Sequence, residues 1–141
     1  MSKRKVDDSL ANLKKAIDRL REALEVPRTD PLVVEGTIQR FEFVIEIFWK
    51  ALKRALEYEG IVVKTPRESL KQAFAAGWLS DETAWLDMLD TRNTTSHLYL
   101  HEDLVEEAYD DIIKNFPELE RTYEFLRDRY ADSPLSEPSS E

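Results

Sequence analysis

The chain has 141 residues, no cysteine, and 20 lysines and arginines against 29 aspartates and glutamates, a net charge of −9. That length supports one domain with a real core, and the lack of cysteine excludes disulfides, thiolate catalysis and Cys-based zinc sites. The acidic balance argues against a general binder of phosphate backbones, though it leaves room for a small basic site.

No apolar run is long enough to span a bilayer, and no apolar segment follows the basic start Met1-Ser-Lys-Arg-Lys, so a cytoplasmic, membrane-free protein is expected. The three glycines, Gly36, Gly60 and Gly77, form no phosphate loop and no dinucleotide fingerprint. Strand-like alternation is scarce. The expected fold is all-α: an antiparallel up-and-down helical bundle of about five helices over residues 1–130, with a disordered tail over 131–141.

The first helix is expected from about Asp8 to Val26. Leu10, Leu13, Ile17, Leu20 and Leu24 recur every three or four residues, and Pro27 stops the run. Asp30-Pro31 then supplies an N-cap and a proline at the first helical position. The second helix runs to Tyr58, with Gly60 as terminator. Its apolar stripe, from Ile38 through Phe41, Phe48 and Trp49 to Leu56, is wide enough to predict contact on two sides. Lys50, Lys53 and Arg54 form a small basic patch on it, by default a solvated face.

Thr65-Pro66-Arg67-Glu68 reads as a capping box opening a short third helix that Gly77 ends. Ser80 is expected to cap the next helix, with Asp81 and Glu82 at its positive end. A last helical section starts near His101, carries the stripe Leu104, Val105, Ala108, Tyr109, Ile112 and Ile113, and is expected to kink or restart at Phe116 before Pro117.

The fourth helix, expected from near Ser80 to a frayed end near Leu98, holds the informative stretch. At about 100° per residue, Trp85, Leu86, Met88 and Leu89 share an inward sector while Asp87 and Asp90 face solvent. The same sector continues as Arg92, Asn93, Ser96 and Tyr99, with His97 at its edge. A face that should be apolar turns polar, and unpaired buried polar groups are costly. The sector therefore needs a polar partner, a ligand, a second subunit or a water-filled cleft. His97 and His101 stand at i,i+4 with Glu102 adjacent, but two ligands at a helix end make a weak zinc site, so no metal and no cofactor is expected.

The stretch R-N-T-T-S-H-L-Y (Arg92 to Tyr99) resembles the R-x4-6-H signature of the HEPN superfamily, and R-N-x-x-x-H-x-Y resembles its HepT-type members. F-E-F-V-I-E-I-F-W-K-A-L-K (Phe41 to Lys53), L-E-Y-E-G-I (Leu56 to Ile61), T-P-R-E-S-L-K-Q-A-F-A-A-G (Thr65 to Gly77) and W-L-D-M-L-D-T-R-N-T-T-S-H (Trp85 to His97) are similar, in this order, to the nucleotidyltransferase substrate-binding protein family. The resemblance implies a homodimeric bundle that partners a minimal nucleotidyltransferase (MNT). In HepT-type pairs it implies a toxin, a metal-independent endoribonuclease, silenced when its MNT antitoxin adds AMP to the motif tyrosine. Carried over by position, Arg92 and His97 are the catalytic pair, Asn93 and Ser96 polar support for nucleotide or RNA, and Tyr99 the modification site. The competing reading is a non-catalytic substrate-binding or scaffold subunit that only complexes with the nucleotidyltransferase.

Overall fold

The computed structural model describes residues 2–94 and 102–131, and these form five α-helices and no strand. Helix α1 spans Lys3–Glu25, α2 Pro31–Tyr58, α3 Pro66–Ala75, α4 Glu82–Thr94 and α5 Glu102–Tyr130. The tail over 132–141 lies outside the described residues.

The helix ends follow the local chemistry. Helix α1 starts five residues earlier than the periodicity suggests, because the Ser2 side chain accepts from the Lys5 N–H and caps it. Asp30 accepts from Leu32 N at 2.8 Å and Pro31 opens α2. Both halves of the Thr65–Glu68 capping box form. Gly60 (φ +92°) and Gly77 (φ +84°) take the left-handed conformation that ends α2 and α3. The next residues close each helix by donating backward, Ile61 N to Leu56 O at 2.8 Å and Trp78 N to Ala73 O at 2.9 Å.

Two expectations need correction. Asp81 rather than Ser80 caps α4, its carboxylate accepting from Ala84 N at 3.0 Å. Of the kink or restart expected at Phe116, the restart does not occur: α5 runs as one helix through Pro117. Pro117 is exposed, and the carbonyl it leaves without a donor belongs to Ile113, itself on the solvent side, where water can supply the missing bond. Ile113 and Leu104 accordingly leave the predicted stripe and are 48% and 44% exposed.

The four long helices alternate in direction. Arg40 donates to the Arg19 carbonyl and Arg54 to Ser9 Oγ, so α2 descends as α1 climbs. Trp85 reaches Glu118, while Asp87 lies close enough to Asp111 to affect its titration, so α5 descends beside α4. Arg21 meets Glu120 while Arg28 meets Asp110, which sets α5 against α1. One continuous apolar core fills the space between them. Leu13, Ile17, Leu20, Phe41, Phe48 and Trp85 are among its fully buried members. None of the helices among the described residues is long and apolar enough to cross a membrane.

Candidate functional site

Trp85 fixes α4. Its ring is 1% exposed and meets Phe48 edge to face at 4.7 Å. Its Nε1–H donates to Glu118 Oε2 at 3.0 Å inside the core. Glu118 is only 8% exposed, and Arg121 and Thr122 also bond it, so this buried carboxylate has its partners. Met88 and Leu89 complete the inward face, while Asp87 and Asp90 are exposed as expected.

Arg92 follows Trp85 by seven residues, close to two full turns, and so returns to the same face. Here that face meets the side of α2 rather than the core. The guanidinium Nη2 donates to Glu46 Oε1 at 2.5 Å, with the two side chains 37% and 31% exposed. Lys50, one turn along α2, holds the other oxygen of Glu46 at 3.1 Å. Glu42 stands one turn the other way and feels the Arg92 charge.

The two α2 carboxylates titrate in opposite directions. Burial raises the Glu42 carboxyl above its ordinary 4.5, and the nearby Arg92 charge offsets this only in part. Burial also pushes Glu46 up, but the Lys50 hydrogen bond and the Arg92 charge outweigh it and hold Glu46 below 4.5. The Arg92 guanidinium thus lies against two α2 carboxyls whose titration is moved in opposite directions.

Asn93 is exposed rather than turned inward. The inward sector narrows after Met88 and Leu89 because α4 clears the core there, and Asn93 Oδ1 instead accepts from Arg92 Nη1 at 3.3 Å. Ser96, His97 and Tyr99, together with His101, lie outside the described residues. Sequence reasoning missed Glu42 and Glu46. Their spacing with Lys50, at i, i+4 and i+8 on one face of α2, was the available signal. The predicted basic patch divides, since Lys50 turns to Glu46 while Arg54 donates to Ser9 Oγ at 2.8 Å. Asp90 pairs with Arg67 at 3.5 Å, on the side away from Arg92. Trp78 and Trp85 are core residues, and Trp49 is half-buried.

Solved structures share this fold. One from Thermus thermophilus is similar at 31% identity and a TM-score of 0.71, over 85% of this chain and 99% of that one. A second, from Haemophilus influenzae, described as revealing the fold of a substrate binding domain of a nucleotidyltransferase, is similar at 25% identity and a TM-score of 0.64, over 89% and 99%. A protein of Haemophilus influenzae (strain ATCC 51907 / DSM 11121 / KW20 / Rd) named probable ribonuclease HepT is 35% identical over 72 residues, a match that spans 48% of this chain and about half, 49%, of that relative. Residues 8–128 match the family described as nucleotidyltransferase substrate binding protein like, and the chain belongs to that family.

Proposed function

We propose that this protein is the partner subunit of a two-component minimal nucleotidyltransferase system and that, as a homodimer, it is a metal-independent endoribonuclease silenced by AMP addition at Tyr99. The observation that carries this reading is Arg92, set on a rigid helix and aimed by Glu46, in a chain that belongs to the nucleotidyltransferase substrate-binding family and is similar to a probable ribonuclease. In the proposed reaction the Arg92 guanidinium holds the scissile phosphate through paired N–H donors. His97 takes the proton of the ribose 2′-hydroxyl as that oxygen attacks phosphorus. The bond to the leaving 5′-oxygen breaks, and His97 of the partner subunit protonates that oxygen. Two copies thus supply an acid and a base that one chain with one motif histidine does not.

Purified protein is tested on total RNA with and without EDTA. Cleavage that survives chelation and falls about a hundredfold or more in Arg92→Ala and in His97→Ala is the expected result. Incubation with the neighbouring nucleotidyltransferase, ATP and magnesium should add AMP mass units that vanish in Tyr99→Phe. No cleavage and no mass gain, with a stable complex of the two proteins, would establish the non-catalytic binding subunit instead.

A further inference from the structure

The outer seam between α1 and α2 carries a groove that meets the Arg92 site only at Lys50. Three adjoining hollows, about 320, 370 and 370 Å³, share Arg19, Phe43, Gly36 and Arg40 and run from Leu32 to Arg54. At 1.5 Å per residue that is about 33 Å of α2, the length of a helix of roughly 20 residues. In a chain of net charge −9 the groove is cationic: Lys15, Arg19, Arg40 and Arg54 line it against one carboxylate, Glu22, with Lys50 at its edge already paired to Glu46. Its floor is apolar and partly open to water, with Leu32 74%, Phe43 56% and Val26 47% exposed.

Gly36 sits inside α2 where no turn needs it. A Cβ there would meet nothing within 4 Å, so packing within the chain does not require glycine. Glycine costs a helix interior about 1 kcal/mol relative to alanine, and a close backbone approach from outside is what that position would accommodate.

The geometry points to this groove as the docking site for an amphipathic helix of a protein partner, one with a leucine-type stripe flanked by aspartates and glutamates. The length, the apolar floor and the cationic rims select that occupant. RNA would satisfy the cations but leave Leu32 and Val26 without apolar cover. A second copy applying the same face would set Lys15, Arg19, Arg40 and Arg54 against the same four cations. The inference is independent of the ribonuclease reading.

Fluorescence anisotropy of the full chain with a labelled synthetic helix of about 20 residues, leucines along one face and glutamates beside them, tests it. The expected result is saturable, salt-sensitive binding that weakens about tenfold or more in the double variant Lys15→Glu/Arg19→Glu, whose two side chains are exposed. Gly36→Gln should raise the melting temperature, by improving the helix, and yet weaken the peptide, a pair of opposite effects that a structural role alone does not produce. Equal binding by a lysine-flanked peptide, or by one with serines for leucines, would overturn the proposal. So would preferential binding of a single-stranded RNA of equal length, which would make the groove a nucleic-acid surface, or conversion of a dimer to a monomer by Phe43→Ser, which would make it an interface between copies.

Discussion

Arg92 and Glu46 meet at 2.5 Å across the α2–α4 contact, with Lys50 on the same carboxylate. The pair is about one-third exposed, so its worth to stability is small, about 0–1 kcal/mol. Its consequence is direction: Glu46, together with Asn93, holds the guanidinium against α2. Glu46→Gln should leave the urea midpoint nearly unchanged, and if the proposed ribonuclease activity is present it should lower cleavage about tenfold, with the loss mainly in KM. Glu46→Asp should recover part of it. Steady-state kinetics on a short RNA decides the matter, and an unchanged KM would mean that Arg92 is positioned by something else.

The buried Trp85–Glu118 bond makes a second prediction. Trp85→Phe removes the donor and part of the indole volume while leaving the carboxylate in the core, at an expected cost of about 2–4 kcal/mol in urea unfolding. Glu118→Gln, which keeps an acceptor for the indole N–H, should cost less.

Acid sensitivity follows from four carboxylates held below their ordinary values of 3.8 and 4.5, one of them Glu68, which the Lys64 and Thr65 backbone N–H groups lower. The Lys14 and Arg21 hydrogen bonds lower Asp18. The Tyr130 hydroxyl and, behind it, Arg129 lower Glu59. Against opposing burial, Lys50 and Arg92 lower Glu46. A depressed folded pKa contributes stability that is present above the unfolded value and lost as pH falls through the folded one. Melting temperature should therefore decline as pH drops below about 4.5, with Asp18→Asn showing a shallower fall. Glu42 and Asp111, both raised first by burial, run the other way and lose their contribution as pH rises through their elevated values.

Tyr130 sets the alkaline limit. Burial, reinforced by donation to Glu59 Oε2 at 2.7 Å, raises its hydroxyl from 10.0 to about 12. That contribution is complete below pH 10 and lost as pH rises from 10 to about 12. Tyr130→Phe should be less stable at neutral pH, for want of the hydrogen bond, but should show a flatter decline across that window in a denaturation series. An unchanged slope would exclude Tyr130 as its source.

The elements announced by local chemistry could be read from the sequence. Asp30-Pro31, Thr65-Pro66-Arg67-Glu68, Gly60 and Gly77 mark helix ends because caps and left-handed turns depend on neighbours within a few residues. That α5 does not restart at Pro117 depends on which side of the helix faces water, a tertiary fact. The same limit governs the site. A residue count puts Arg92 on the inward sector, but only the packing of α4 on α2 reveals that this sector meets Glu46 and that Asn93 has already turned outward. The wide stripe of α2 is mostly one deep core, with Ile38, Phe41, Phe48, Leu52 and Leu56 all buried, and periodicity cannot separate such a core from contact on two sides.

The alternation of helix direction also settles where cargo could be attached. Because α5 descends beside α1, the first turn of α1 and the last turn of α5 share one end of the bundle with the end of α2, where Glu59 meets Tyr130. Helix α4 climbs away from that end and carries Arg92 ten residues, about 15 Å, beyond its first residue, Glu82. A fluorescent protein or an affinity handle joined ahead of α1 or behind α5 would therefore hang from the same pole and leave the Arg92 side of the molecule open to its partners.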